Sequence, residues 1–338
     1  MGLLADARTA YGLRWKRRRM LWRALKARHQ MALVRDRTAL IRPGDILCFA
    51  CVRNERLRLP WFLAHHRALG VRQFLFIDNA SDDGTADYLA EQPDASMWRT
   101  DGDYRASRFG MDWVNRLLAR YGHGHWCLIL DADEALVYPH HDSRTLADLT
   151  AWLDRRGQAA LPAMLLDMYP RGPVGSAGYV EGANPFETLE WFDATGYRAG
   201  RHGTQGGRRV QGGPRERVFF PDAPDRAPTL NKLPLVRWHW RHAFVNSTHT
   251  ALPPRLNAVA EVPDAVSGVL LHSKFLSLAI DKAREDSLRR VHFHDPDAFA
   301  GYYDRLIADP TLWVSGSLRF SGWEQLEELG LMSRGDWV

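Results

Sequence analysis

Three carboxylates, those of Asp131, Asp133 and Glu134, directly follow the apolar run LIL in the segment LILDADEAL, residues 128–136. Like charges this close repel one another, and removing them from water costs several kcal/mol unless a positive charge compensates. A divalent cation is the usual compensator, because hard cations bind oxygen ligands. An acidic turn that stays fully solvated is the alternative, and the segment alone does not decide between the two.

Polar clusters also follow two other apolar segments, DILCFACV and VRQFLFI, which are predicted to be strands. These clusters are RNE at 53–55 and DNASDD at 78–83. Helical patterns such as RLRLPWFLAHHRALG and SRFGMDWVNRLLARYG alternate with the strands, and this alternation predicts βαβ units and a parallel sheet. Ligands bind beyond the carboxyl ends of such strands. We therefore expect the three clusters to converge on one crevice, which favours a bound cation over a solvated turn.

The second half of the chain has a less regular pattern. LPAMLLDMYP predicts one more strand, and SLAIDKAREDSLRRVHF predicts a helix. Residues 171–217 are rich in Gly, Pro and Arg, so they form either a cationic loop that binds phosphate or a disordered surface loop. Neither G-x-G-x-x-G after the first strand nor G-x-x-x-x-G-K-[ST] occurs, which argues against a dinucleotide oxidoreductase and a P-loop enzyme.

The composition is that of an ordinary globular protein, with 45% hydrophobic and 25% charged residues among 338. Cys48 and Cys51 lie three apart on a predicted strand, hence on opposite faces, and with Cys127 they form no disulfide framework. A reduced, cytoplasmic compartment is the expectation. The sequence shows no apolar run long enough to cross a bilayer and no secretory signal.

Residues 8–37 are rich in Arg and Lys, with Asp36 as the single acid, and Trp and Leu are interspersed. This pattern predicts a basic, partly amphipathic helix that touches anionic lipid at the inner face of the membrane or another polyanion. A solvated helix docked on its own domain is the alternative. No nucleic-acid partner is expected. The predicted division is a basic helical segment at 1–42, a main domain at 43–310 and a tail at 311–338.

The blocks CVRNERLRLPWFLAHHRALGVRQFLFIDNASDDGT and WCLILDADEAL resemble the family 2 type of glycosyltransferase, in particular a bacterial subgroup with a KNE…EW…H…LG…DN.S.DGT opening. The resemblance continues in GGPRERVFF, NKLPLVRW and GVLLHSKFL and covers about residues 45–305. It implies the α/β GT-A fold, a Rossmann-like, mostly parallel sheet flanked by helices, here with an irregular C-terminal half. It also implies transfer of a sugar with inversion, from a nucleotide-sugar donor to a glycan or glycolipid acceptor, with Mn²⁺ or Mg²⁺.

The resemblance implies a metal site. Asp131 and Asp133 stand at the D-x-D positions, with Asp133 on the metal and Asp131 on the ribose or the metal. His272 is the candidate third ligand, because the family often supplies a histidine from late in the chain. A histidine satisfied beside a strand is the alternative, and Ser273 follows where the subgroup has an aromatic residue.

The resemblance also implies a nucleotide pocket. Asp78 stands where the family contacts the base, and a carboxylate there can accept the N3–H of uracil, which favours a UDP donor. Other residues expected at the nucleotide or its diphosphate are Asn54, Glu55, Asn79, Lys274, Arg215 and Arg217.

An inverting transferase needs a carboxylate that takes the acceptor's hydroxyl proton. Glu216, in PRERVF, is preferred over Asp167 at the end of an apolar strand, although the arginines beside Glu216 also allow a structural ion pair. The sequence therefore predicts a metal-dependent inverting glycosyltransferase that acts on a bacterial glycan. The alternatives are a catalytically silent GT-A domain that binds polyanions or membranes through the basic segment, and a hydrolase of nucleotide sugars.

Overall fold

The structure is a computed structural model that describes residues 3–201, 203–245, 247–262, 265–289 and 300–337. The strands within these ranges are β1 (Ala32–Arg35), β2 (Ile46–Val52), β3 (Gln73–Asp78), β4 (Ala95–Arg99), β5 (Trp126–Ile129), β6 (Glu134–Val137), β7 (Ala160–Asp167), β8 (Trp191–Asp193), β9 (Tyr197–Arg201), β10 (Arg208–Gly212), β11 (Asn231–Arg237), β12 (Ala243–Phe244), β13 (Ala251–Leu252), β14 (Gly268–His272) and β15 (Ser317–Arg319). The α-helices are α1 (Leu3–Ala27), α2 (Leu59–Ala68), α3 (Thr85–Glu91), α4 (Met111–Leu117), α5 (Leu146–Arg155), α6 (Gly213–Phe219), α7 (Leu278–Arg289), α8 (Ala300–Ile307) and α9 (Trp323–Glu328).

A nine-stranded sheet with the order β1-β4-β3-β2-β5-β11-β7-β14-β6 forms the centre of the molecule. Strands β2, β3, β4, β5, β7 and β14 run in one direction, whereas β1, β6 and β11 run in the other. This confirms the predicted α/β fold with a mostly parallel, helix-flanked sheet, which is the arrangement that the GT-A prediction requires.

Strand β2 shows why the apolar runs become central strands. Cys48, Ala50 and Val52 belong to the core between the sheet and helices α2, α3 and α5. Leu47 and Phe49 belong to the core on the other face, with α4. Because successive side chains of a strand point to opposite faces, a strand covered on both sides reads as a continuous apolar run.

The register of three strands positions the polar residues that follow. Strand β14 lies between β7, to which it is parallel, and β6, to which it is antiparallel. The start of β6 therefore meets the ends of β7 and β14, and His272 pairs with Glu134 on one side and Asp167 on the other. Residues more than 100 positions apart in the sequence become neighbours at the edge where β2, β3 and β5 also end.

The C-terminal half contains two strands of the main sheet, β11 and β14, together with short turns and two-stranded ladders. The Gly- and Arg-rich segment 171–217 is not one continuous loop in the described residues, because β9 and β10 form an antiparallel hairpin and α6 follows directly. Of the helix predicted over SLAIDKAREDSLRRVHF, residues 278–289 are helical, and residues 290–293 lie outside the described ranges.

The two ends of the chain pack on the main domain. Ala27 of α1 joins the core that includes α4, and Trp323 and Leu326 of α9 join a core formed by β6, β7 and β14. The division of the chain at residues 42 and 310 remains a prediction. Among the described helices, none has the length and apolar character needed to cross a bilayer.

Candidate active site

A cavity of about 580 Å³ opens at the carboxyl edge of the sheet. It is lined by the segments after β2 (Arg53, Asn54, Glu55), β3 (Asn79), β4 (Asp101, Gly102, Asp103, Tyr104) and β5 (Asp131, Ala132, Asp133, Glu134). The C-terminal half contributes Arg215, Lys232, His249, His272, Lys274 and Lys282, among others. The structure thus brings together residues of the three polar clusters, which follow three separate strands.

A buried lysine compensates two of the three adjacent carboxylates. The Lys232 ammonium lies 3.1 Å from the Asp131 carboxylate and also contacts Glu134, while only 4% of its side chain is exposed. Burial lowers the pKa of Lys232, but the carboxylates of Asp131 and Glu134 outweigh it, so the net pKa is raised. Burial raises the pKa of Glu134 to about 7, against the opposing effect of the lysine. The compensating charge at Asp131 and Glu134 is therefore supplied by the protein.

Lys232 was not among the predicted site residues, although its position in the sequence is informative. A lysine inside the apolar strand NKLPLVRW is rarely fully buried unless it is paired with an acid.

The third carboxylate, Asp133, belongs to a separate chain of contacts. His272 Nδ1 lies 2.7 Å from Asp167 Oδ1, and its Nε2 lies 3.1 Å from Asp133 Oδ2. Burial lowers the pKa of His272, but the two carboxylates outweigh it and raise the net pKa. Burial also opposes ionisation of Asp133, but His272 and Arg58 hold the pKa of this carboxyl well below its usual range. The buried Asp167 thus orients the ring so that Nε2 faces Asp133.

These contacts fit a metal ion only in part. In the ranges that the structure describes, no three His, Cys, Asp or Glu side chains are grouped as a complete metal site. Asp133 and His272 Nε2 form a pair that could hold Mn²⁺ or Mg²⁺, since Asp131 already contacts Lys232. Ions of this kind are commonly held by one or two protein carboxylates together with substrate phosphates and water. The donor set therefore suits a metal that binds together with a diphosphate.

Cationic side chains surround the same part of the cavity. Arg215 Nε donates to Asp167 at 2.6 Å, while its buried Nη2 has no hydrogen-bond partner within the described residues. Lys274 lines the cavity, with its ammonium 5.9 Å from the ring centroid of Tyr302. Lys282 of α7 also lines it and pairs with Glu55. An anion such as a diphosphate would find positive charge here.

Lys282 was not among the predicted site residues, because a lysine on a predicted helix carries no distinguishing signal. By contrast, Arg217, a predicted diphosphate contact, pairs with Asp193 at 2.9 Å and does not line the cavity as described.

The predicted nucleotide residues lie at the ends of β2 and β3. Asp78 is fully buried, and its Oδ2 accepts from the Ser81 amide at 3.3 Å. Its Oδ1 has no partner in the part of the chain that the structure describes. Asn79 lines the cavity and donates to the carbonyl oxygens of Thr100 and Gly102. Asp78 itself is not among the described residues that line the cavity, so its contact with a base remains a prediction.

Side-chain hydrogen bonds hold the loop that follows β2. Asn54 donates to Asp82 at 2.8 Å, and Glu55 accepts from Arg58 at 2.9 Å. Arg58, which was not among the predicted site residues, is buried and also donates to the Ser273 carbonyl at 3.4 Å.

Neither candidate general base is presented to the cavity. Glu216 is held in contact with Arg198, and it is not one of the described residues that line the cavity. Asp167 is buried, with Arg215 and His272 on its two oxygens. This is the ion-pair alternative for Glu216 that the flanking arginines suggested, although the pairing arginine comes from β9. The identity of the base remains a prediction.

No protein-family model matches the chain, and no curated protein matches it significantly. Among solved structures, a mannosyltransferase from Pyrobaculum calidifontis in complex with GDP-Man and Mn²⁺ is 19% identical, over 47% of this chain and 45% of that chain, with a TM-score of 0.27. A 4-diphosphocytidyl-2C-methyl-D-erythritol synthase is 16% identical over 38% and 63% of the two chains, with a TM-score of 0.25. A UTP-bound UGPase from Acinetobacter baumannii is 10% identical over 78% and 99%, with a TM-score of 0.31. This chain spans less than two thirds of the length of the first two, and likeness at these TM-scores assigns neither a family nor an activity.

Proposed function

We propose that this protein is a metal-dependent glycosyltransferase that takes a sugar from a nucleotide-sugar donor. The observation that supports the proposal best is the Asp167–His272–Asp133 chain at the wall of the cavity, which Arg215, Lys274 and Lys282 also line. A metal-ligating histidine almost always donates its other ring N–H to a carboxylate, a carbonyl or water. Asp167 is such a partner, and it leaves Nε2 directed at Asp133, 3.1 Å away.

A bound Mn²⁺ or Mg²⁺ would supply positive charge where the leaving nucleoside diphosphate becomes more negative. The chain's own residues would add to this effect. Arg215, Lys274 and Lys282 place cationic groups around the cavity. The Nη2 of Arg215, which has no hydrogen-bond partner among the described residues, is available to a phosphate oxygen. Such fixed charges stabilise a transition state well, because they need no reorganisation when the charge develops.

The proposed donor is a UDP-sugar. The buried Oδ1 of Asp78 has no partner among the described residues, and it can accept the N3–H of uracil, while guanine offers a different pattern of donors. Inversion at the sugar and a bacterial glycan or glycolipid as acceptor are also proposed, and these two parts rest on the resemblance of the sequence alone.

A donor panel with and without metal tests the proposed function. We expect UDP-sugars with Mn²⁺ to stabilise the protein by about 2.7 kcal/mol at 100 times their Kd, because they bind only the folded state. GDP- and dTDP-sugars should stabilise it less, and EDTA should remove most of the effect. Thermal unfolding with each nucleotide sugar, in Mn²⁺ and in EDTA, measures these differences.

Equal stabilisation with EDTA and with Mn²⁺ would contradict metal dependence. No response to any nucleotide sugar would contradict the proposed function itself. If the sugar is released at the same rate with and without added acceptor glycans, the protein is a hydrolase rather than a transferase.

The variant Asp167→Asn tests the orienting role of Asp167. We expect Mn²⁺-dependent UDP binding to weaken about 10–100-fold, the usual effect of losing the partner of a metal-ligating histidine. UDP binding in EDTA should change much less, because the metal does not contribute there. Titration calorimetry under both conditions measures the difference.

Asp87→Asn, at an exposed carboxylate on α3, is the matched control and should behave like the wild type. Equal losses with Mn²⁺ and with EDTA would mean that Asp167 only holds Arg215 in place.

A further inference from the structure

The outward face of α1 carries a line of exposed apolar side chains. Tyr11, Trp15, Trp22 and Leu25 have 62%, 53%, 49% and 45% of their surface exposed. Their spacing of four, seven and three residues places them on one side of the helix, over about 21 Å at 1.5 Å per residue. The opposite side carries the buried Met20, Ala24 and Ala27. The packing of α1 on its own domain therefore leaves this line uncovered.

Basic side chains accompany the apolar line. Residues 7–27 contain eight Arg or Lys residues and no acid. The Arg18 guanidinium lies 5.4 Å from the ring centroid of Trp15, and the Lys26 ammonium lies 4.2 Å from that of Trp22. Within the described ranges, neither Arg18 nor Arg19 has a carboxylate partner. The positive charge of this surface is thus not neutralised by the protein itself.

More positive charge lies on the flank of α1. Arg17 lines a shallow cavity of about 300 Å³ together with Arg241, Arg255 and His239. Burial lowers the pKa of Arg17, and so do the neighbouring Arg241, Arg14 and Arg255. Trp240 is 46% exposed, with the Arg241 guanidinium 4.6 Å from its ring centroid. The pattern of α1, aromatic rings flanked by basic side chains, therefore extends onto a second segment that is distant in sequence.

We propose that the outer face of α1 and this flank together dock on an anionic lipid bilayer. Helices that lie in a membrane interface place Trp and Leu among the lipid headgroups and Lys or Arg beside the phosphates. Tyr11, Trp15, Trp22 and Leu25 supply the apolar part, and Arg18, Arg19 and Lys26 supply the charge. A surface that binds single-stranded nucleic acid uses aromatic rings as stacking platforms for the bases. A long apolar line that includes a leucine favours a lipid interface instead.

The attachment of α1 would connect such docking to the candidate active site. Arg23 donates to Asp112 at 2.9 Å and to the Ala106 carbonyl at 2.7 Å. The segment between β4 and α4, which includes Ala106, also contains Asp103 and Tyr104, and both line the cavity of the candidate active site. A bilayer bound by α1 would therefore hold the domain itself, next to the segment that lines the cavity. The docking proposal does not depend on the proposed enzymatic activity.

Vesicle co-sedimentation of the full chain tests the proposal. The probes are phosphatidylglycerol–phosphatidylcholine vesicles and pure phosphatidylcholine vesicles, at low and at high NaCl. We expect binding to the anionic vesicles only. Arg18→Gln/Arg19→Gln should lower the partition coefficient on the order of 30-fold at low salt, since each basic side chain near an anionic surface contributes about fivefold. Trp15→Ser/Trp22→Ser should also lower it, and should remove the binding that remains at high salt.

Two matched variants serve as controls. Arg72→Gln/Arg155→Gln removes two exposed arginines elsewhere, and Val180→Ser/Val314→Ser removes two exposed apolar side chains. Both should bind like the wild type. The proposal is overturned if the wild type does not bind anionic vesicles, or if the control variants lose as much as the α1 variants. It is also overturned if the tryptophan pair has no effect while a single-stranded RNA homopolymer competes fully, because the surface would then be a polyanion site.

Discussion

Replacing Asp133 by Asn should abolish Mn²⁺-dependent binding of a UDP-sugar while leaving the protein folded. The carboxylate faces His272 Nε2 at 3.1 Å, and in the proposed site these two groups are the protein ligands. An amide oxygen carries no net charge, so it binds a hard cation more weakly than a carboxylate does. Losing a residue that only hydrogen-bonds to a metal ligand already weakens metal binding about 10–100-fold. Losing a ligand itself should therefore weaken metal binding by more than about 100-fold. Calorimetry with Mn²⁺ and with EDTA measures the effect.

Asp87→Asn is again the control for the change from carboxylate to amide. This carboxylate is exposed on α3 and is not among the described residues that line the cavity of the candidate active site. Undiminished metal-dependent UDP binding by Asp133→Asn, with an unchanged unfolding temperature, would show that the metal lies elsewhere or is not needed. His272→Ala should give a smaller loss in the same direction. If its metal affinity equals that of the wild type, His272 is only a partner of Asp133 and Asp167.

Lys232→Met should lower the free energy of unfolding by about 3–5 kcal/mol, because removing one partner of a buried ion pair leaves the other charge uncompensated. Methionine keeps the length of the apolar stem but cannot donate to Glu134, which is 2% exposed. Asp131 should contribute less to the loss, because 54% of its side chain remains exposed. Urea unfolding in EDTA measures the change without any metal effect.

The double variant Lys232→Met/Glu134→Gln should recover much of this loss, because no buried charge then remains unpaired at Glu134. Recovery should fail if the lysine acts through packing alone, in which case the two changes would simply add.

The loss in Lys232→Met should also depend on pH. Burial raises the pKa of Glu134 to about 7, above its ordinary value of 4.5, and removing the ammonium takes away the effect that opposes this. A carboxyl whose pKa is higher in the folded state binds more protons there than in the unfolded state. Its protonation therefore contributes fully to the free energy of unfolding below the unfolded pKa, and this contribution is lost as the pH rises through the folded pKa. The deficit should therefore be larger above pH 7 than near pH 5. A pH-independent deficit would contradict this account.

The sequence alone determined the first half of the sheet. The segments around β2, β3 and β5 were predicted from local apolar runs and from the polar clusters that follow them. Such patterns depend on neighbouring residues only, because a strand covered on both faces must be apolar throughout. The position of the acidic cluster at the carboxyl edge followed from the same pattern, since parallel strands end at a common edge.

The tertiary structure decided which charges meet. Lys232 reaches Glu134 across 98 sequence positions, and His272 reaches Asp133 across 139. These contacts depend on the register of β6, β14, β7 and β11 in one sheet, and a shift of one residue would turn each side chain to the other face. No local pattern specifies that register. For the same reason, the sequence suggested a cation to neutralise the whole acidic cluster, whereas the fold supplies a lysine for part of it and turns only Asp133 toward a histidine.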